Sequence, residues 1–242
     1  MATFLLILGF LPGFVWLLFY LEEDTDSEPK REIFFAFIVG SAVTIIVLYA
    51  EQAFAALASL ASIAPYSLGA FFGLAAIEEF FKFGAAYLVV AKSKYFDLPI
   101  DAMIYMVVVA LGFATLENVF AISGEFRDTA LLSSAAETAS LRFVGATLLH
   151  TLASAVVGYY WALAMLRGRW AYHLTLGLLI ATALHAAFNC LITSQCSGFL
   201  GKSPLLYTML LLVVAGFFVL NDFEKLKHPE KLDVAPFFKK RV

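Results

Sequence analysis

Residues 66–91 read YSLGAFFGLAAIEEFFKFGAAYLVVA. The run is long enough to cross a hydrocarbon core about 30 Å thick, which takes roughly 20 helical residues. Its charged side chains, Glu78, Glu79 and Lys82, fall together in its middle. An ionisable group at membrane depth costs several kcal/mol by most estimates, roughly 3 kcal/mol or more, so three of them in one span mark a site. The remaining residues are apolar on every face, which is the pattern of a helix surrounded by lipid and other helices.

The chain on either side repeats the apolar pattern. Spans are expected near residues 3–20, 33–50, 66–91, 100–123, 141–166, 171–193 and 203–220. The stretch 51–64, EQAFAALASLASIA, is open: it extends the second helix or lies along the interface. Of the 242 residues, 62% are hydrophobic and 14% charged, against about 45–50% and about 25% in soluble domains. One water-soluble core cannot hide that surface. A cytosolic enzyme, a nucleic-acid-binding module and a disulfide-stapled secreted domain are excluded, and the net charge of −3 implies no polyanionic partner. The expected fold is a single all-α membrane domain over 1–242, a polytopic bundle of about seven spans.

Pro65, Pro99 and Pro204 stand at helix starts, where a missing N–H is harmless; Pro12 alone falls inside a span. The first span lacks a preceding Lys or Arg and a following A-x-A site, so it reads as a retained helix rather than a leader. With the N-terminus outside, Lys30, Arg31, Lys92, Lys94, Arg167, Arg169 and the basic residues of the tail 221–242 are inside, and only Arg127 and Lys202 are in outer loops. That bias places the C-terminus in the cytoplasm and its basic tail against anionic headgroups. Cys190 and Cys196 lie near one membrane face; a bridge between them is possible but not indicated. No internal repeat, low-complexity tract or Cys-rich metal pattern is present.

Four further features stay at membrane depth: Glu117 followed by Asn118, His150, His185 followed by Asn189 at a spacing of four, and Arg142 at the start of the fifth span. A spacing of three or four places Glu79 or Glu78 beside Lys82, and His185 beside Asn189, on one helical face. His173 at an interface and His228 in the tail read as ordinary side chains. At 1.5 Å per residue, Glu117, His150 and His185 lie roughly 9–13 Å below the outer helix ends and Glu78 and Glu79 roughly 18–20 Å, so all can meet in the outer half of the membrane.

Three carboxylates against one ammonium leave a buried negative charge that needs protons or a divalent cation. Two His and one carboxylate are a catalytic zinc set with a position left open, and a further Glu beside it would serve as general base. Without metal, a Glu could activate water while His and Asn stabilise an oxyanion. Both routes hydrolyse an acyl bond. Buried Glu and His also build proton relays in transporters, but the paired repeats and interrupted central helices of such carriers are not seen.

Together these elements resemble the PrsW family of intramembrane proteases, with its EExxK, FxxxEN, His-to-Gly and late HxxxN-like elements. Here they read Glu78-Glu79-Phe80-Phe81-Lys82, Phe113 to Glu117-Asn118, His150 to Gly158, and His185 to Asn189, in order on successive helices across a core of residues 73–189. More distantly the pattern is similar to CAAX prenyl endopeptidases and bacteriocin-processing proteases, which have His where this chain has Glu117. The resemblance implies a bacterial plasma-membrane endopeptidase that cuts a membrane-anchored protein of the anti-sigma-factor type. It implies Glu78 or Glu79 as the water-activating base, Glu117, His150 and His185 as ligands of a divalent metal, zinc by type, or as groups that orient the water and substrate, Asn118 and Asn189 as polar support or oxyanion donor, and Lys82 as partner of a carboxylate. Oligomeric state is not implied.

Overall fold

A computed structural model describes residues 2–24, 28–91, 93–128, 145–193, 204–228 and 232. Lys92, Arg142, Cys196, Lys202, Lys231, Lys239, Lys240 and Arg241 lie outside the described residues. The described residues form seven helices and no strand: α1 (Ala2–Leu21), α2 (Lys30–Leu60), α3 (Leu68–Val90), α4 (Asp101–Asp128), α5 (Ala146–Arg167), α6 (Trp170–Ile192) and α7 (Pro204–Lys227). Five of them, α2 and α4 to α7, carry stretches long and apolar enough to cross a membrane. The chain is a multi-pass integral membrane protein. In α3 the concentration of Glu78, Glu79 and Lys82 interrupts an otherwise apolar helix.

The open stretch 51–64 is settled through Leu60: α2 continues as one helix of 31 residues. It contains no proline or glycine after Gly40 to stop it. A turn then holds Ser62 and Tyr66 in the left-handed region, at φ 58° and 61°. The Ser67 hydroxyl accepts the Ala70 N–H at 3.2 Å and starts α3, as expected of an N-cap serine. Helix α5 stops at Gly168, whose φ of 72° suits a left-handed C-cap.

Helix α4 is the axis of the bundle. Every residue from Asp101 to Thr115 is buried, and α1, α2, α3 and α5 all pack against it. Lipid tails are as apolar as leucine, so helices in a membrane associate by close packing and hydrogen bonds rather than by hydrophobicity. The α2–α4 contact shows both. A Cβ on Gly40 would overlap the Val109 carbonyl, and one on Gly112 would overlap the Phe37 carbonyl. Across the same seam Ser41 Oγ donates to the Gly112 carbonyl at 2.9 Å and Thr44 Oγ1 to the Phe113 carbonyl at 3.3 Å. Gly158 of α5 lies on the backbone of Met103 and Ala102, which gives the glycine eight residues after His150 a packing reason.

The ends are tied by polar contacts. Asp101 accepts the N–H groups of Asp97 and Leu98 at 2.9 and 2.7 Å, ordering the α3–α4 connection. Lys227 at the end of α7 pairs with Glu23 at the end of α1 at 2.7 Å. Glu28, between α1 and α2, accepts the Tyr105 hydroxyl at 2.7 Å. Burial pushes its carboxyl up from the ordinary 4.5 to about 7, against the opposing effect of that hydrogen bond and with help from neighbouring Asp24. Cys190, buried in the last turn of α6, is disulfide-bonded.

Candidate metal centre and active site

The residues singled out by sequence come from four helices. Helix α3 supplies Glu78, Glu79 and Lys82, α4 supplies Glu117, α5 supplies His150 and α6 supplies His185. Their spacing on α3 points all three charged groups inward, and the bundle closes around them: Glu79 and Lys82 are fully buried, and His150 and His185 are each 2% exposed.

Glu78 and Glu79 are adjacent in sequence but have different surroundings. Glu79 is saturated. Its Oε1 accepts Lys82 Nζ at 2.6 Å and His185 Nδ1 at 2.9 Å, and its Oε2 accepts the Ser154 hydroxyl at 3.1 Å. Glu78 lies farther from its neighbours, with Lys82 Nζ at 3.6 Å, His150 Nδ1 at 3.7 Å and His185 Nε2 at 3.7 Å. Its Oε2 is buried without a hydrogen-bond partner.

The imidazoles meet edge to face with centroids 5.0 Å apart. His150 Nε2 bonds Glu117 at 2.7 Å, and its Nδ1 is 3.0 Å from the Lys82 ammonium. A ring nitrogen hydrogen-bonded to a carboxylate is the protonated one, so the hydrogen bonds to Glu117 and Glu79 assign the tautomers. His185 donates from Nδ1 and His150 from Nε2. The lone pairs are then on His185 Nε2 and His150 Nδ1, the two nitrogens that face Glu78.

This donor set fits a metal. Glu78, His150 and His185 each offer a ligand atom, all within 4.8 Å of one another. Ligand atoms sharing one tetrahedral zinc lie roughly 3.3–3.5 Å apart, from bond lengths of about 2.0–2.2 Å. Each imidazole has one Glu78 oxygen near that separation, Oε2 at 3.7 Å from His150 Nδ1 and Oε1 at 3.7 Å from His185 Nε2. The outward nitrogens are held by Glu117 and Glu79, the carboxylate–histidine pairing usual behind metal-bound imidazoles. Lys82 contends with a metal for the His150 Nδ1 lone pair, and its existing bond to Glu79 would remain when that contact is given up.

The remaining expected residues are placed differently. Asn118 is buried and donates to Thr147 Oγ1 at 3.0 Å, tying α4 to the first turn of α5. Asn189 is half-buried one turn beyond His185, and its carbonyl accepts from Thr193. His173 sits at the other end of α6, buried, with neither ring nitrogen hydrogen-bonded. Two residues were missed by sequence. Ser154 stands four residues after His150, the same-face spacing that would have revealed it. Glu51 of α2 is half-buried and near enough to Glu78 for the two carboxyls to interact. It is the one acidic residue in the stretch whose helical nature sequence left open.

Comparison with known proteins shows the family. Residues 28–220 match the family model described as PrsW family intramembrane metalloprotease. The chain belongs to that family. It is 30% identical over 189 residues to Protease PrsW of Geobacillus kaustophilus, covering 77% of this chain and 79% of that one. It is 28% identical over 208 residues to Protease PrsW of Oceanobacillus iheyensis, covering 86% and 90%, and 25% identical over 198 residues to Protease PrsW of Bacillus subtilis, covering 77% and 81%. No solved structure matches. Membership in the PrsW family makes the chain an intramembrane metalloprotease, and a buried cluster of Glu and His is present in it.

Proposed function

We propose that the chain cuts a peptide bond in a membrane-anchored protein of the anti-sigma-factor type, with Glu78, His150 and His185 holding a divalent cation that the donor set suits to zinc. The observation that carries this is the convergence of two imidazole lone pairs on Glu78 while carboxylates hold both outward nitrogens. A bound zinc supplies Lewis-acid polarisation of the scissile carbonyl and an acidified water. Glu117 and Glu79 fix the ring orientations of His150 and His185. Lys82 and Ser154 in turn hold Glu79. The Glu117 side chain is 33% exposed against 10% for Glu78, so substrate enters past Glu117. Asn189, one turn from His185, is the amide assigned to the carbonyl oxygen. The basic-residue bias supports an outward-facing N-terminus and a site in the outer half of the membrane.

A metal-free version has one observation in its favour, the 3.0 Å contact of Lys82 with His150 Nδ1. In that version Glu78 activates water directly. One experiment separates the two. Wild type and Glu78→Gln are expressed in the same bacterial host, the new N-termini in the membrane fraction are compared, and the purified proteins are analysed for metal. New termini in single-span proteins, with about one zinc per wild-type chain and none in the variant, support the first version. A fully active wild type without metal refutes it, and cleavage undiminished in Glu78→Gln refutes both.

A further inference from the structure

Helices α1 and α2 both pack against α4, and each is seated there by glycine. A Cβ on Gly13 of α1 would overlap the Thr115 hydroxyl, and one on Gly40 of α2 would overlap the Val109 carbonyl. Anchored on the same helix, α1 and α2 leave between them a groove of about 380 Å³. Its walls are apolar. Phe10, Phe14, Leu17 and Leu21 recur every three or four residues along one face of α1. Ile33, Phe34, Phe37 and Ile38 come from α2 with the same period. Phe14 stacks on Phe37 between the two helices, with ring centroids 6.2 Å apart. The charged lining residues, Asp24, Glu28 and Lys30, stand together at the end where α1 connects to α2.

Size and depth decide what fits. A helix about 10–12 Å across occupies roughly 400–600 Å³ per turn, so the groove takes less than one turn of a substrate helix. From Leu21 to Phe10 it runs about 16 Å at 1.5 Å per residue. That is the hydrocarbon depth of one leaflet, half of a core about 30 Å thick. An extended acyl chain matches this shape. The charged end then lies at the level of the headgroup of the same molecule. Lys30 is exposed, and an ammonium offers three donors to a phosphate. Asp24 Oδ2 accepts the Glu28 N–H at 2.9 Å, which uses one of about four lone-pair sites of a carboxylate. Glu28 Oε2 is committed to the Tyr105 hydroxyl. An ammonium beside a carboxylate complements a headgroup that carries both signs and disfavours one that is only negative.

We infer that the groove between α1 and α2 binds one phospholipid with a primary-amine headgroup, of the phosphatidylethanolamine class, with its phosphate on Lys30, its ammonium on Asp24 and an acyl chain along the phenylalanines. The basic-residue bias supports the cytoplasmic leaflet as its source. The lipid bridges two helices that are joined mainly through α4, so binding it stabilises the folded bundle.

The test uses the full chain, purified in a mild detergent, stripped of lipid and supplied with phosphatidylethanolamine, phosphatidylcholine or phosphatidylglycerol at equal concentrations. Phosphatidylcholine carries both charges but no N–H, and phosphatidylglycerol lacks the cation. Native mass spectrometry counts lipids per chain, and thermal unfolding reads the stabilisation. Expected is one phosphatidylethanolamine per chain, bound about tenfold or more tighter than the other two, with a rise in melting temperature. Asp24→Asn keeps an acceptor for the Glu28 N–H and loses the charge; Lys30→Gln loses the phosphate contact. Each should weaken retention about tenfold or more, and Ile38→Trp, which fills the groove, should abolish it. Equal retention of the three lipids overturns the inference, as does retention unchanged in both headgroup variants. A second measurement covers the case in which those variants fail to fold. Phe34, exposed at the groove, is replaced by a photo-crosslinking amino acid in an otherwise wild-type chain and irradiated in membranes. Coupling to phosphatidylethanolamine supports the site. Coupling to a single-span protein instead overturns it and gives the groove to substrate.

Discussion

Replacing Lys82 by Met should be among the most costly single changes in the bundle, and the cost should vanish in large part when Glu79 is changed as well. The ammonium is fully buried, 2.6 Å from Glu79 and 3.6 Å from Glu78. At an effective dielectric of about 20 these contacts correspond to gross attractions of about 6 and about 5 kcal/mol. The gross figures overstate the loss, because Met need not be desolvated as a charge. Removing one partner of a buried pair costs about 3–5 kcal/mol, mostly through the uncompensated charge left behind. At about 2–4 °C per kcal/mol for a chain of this size, that lowers the melting temperature by about 6–20 °C. Glu79→Gln alone leaves Lys82 with Glu78 and His150, and gives His185 a weaker acceptor. In the double variant both charges are gone, so its cost should fall short of the summed single costs by about 2 kcal/mol or more. The assay is thermal unfolding in one detergent, followed by tryptophan fluorescence, for wild type, the two single variants and the double. Additivity to within about 0.5 kcal/mol would refute the reading, because it would mean that the pair does not act as a unit.

Glu117→Gln leaves the three proposed ligands in place but loosens the His150 ring, so zinc affinity measured by chelator competition should fall about 10–100-fold. His185→Gln removes a ligand and should leave no stoichiometric zinc. Gly112→Ala forces the α2 and α4 backbones apart and should cost about 1–3 kcal/mol, whereas Gly84→Ala, where a Cβ meets nothing within 4 Å, should be neutral or slightly stabilising; parallel melting curves check both. Glu28 should impose a pH slope on stability. Its folded carboxyl holds a proton up to about pH 7, while an exposed one releases it near 4.5. The stabilisation is therefore complete below about pH 4.5 and is lost as pH rises to about 7. Unfolding curves across that window should show stability falling with pH in wild type and the slope reduced in Glu28→Gln.

The helical segments were legible in the sequence because they depend on local quantities. Run length, hydropathy and the placement of proline act along the chain, and they predicted seven segments that each overlap an observed helix, with the second and seventh ending short of Leu60 and Lys227. The same reasoning marked Glu78, Glu79, Lys82, Glu117, His150 and His185, since an ionisable residue at membrane depth stands out against an apolar run whatever the fold. It left 51–64 open, because small apolar residues carry no signal that separates a spanning helix from an interfacial one, and the structure decides for extension of the second helix through Leu60.

Which group does what was decided only in three dimensions. Glu78 and Glu79 are equivalent by type and neighbours in sequence. One is saturated and the other has an unpartnered oxygen because their directions differ by about 100° around a helix of 3.6 residues per turn. Those directions meet different partners only once α3 is packed against α5 and α6. The same holds for the histidines. A sequence places an imidazole on a helix but not the rotation that turns one nitrogen to a carboxylate and the other to the cavity. That rotation is set by backbone contacts such as Gly158 on Met103 and Gly112 on Phe37, between residues distant along the chain. The sequence by itself therefore determined a membrane bundle with charged residues at depth. Tertiary packing gave those residues their different partners, a saturated Glu79 beside a Glu78 with an unpartnered oxygen, because partners depend on distances between helices and on helix rotation, which no local pattern encodes.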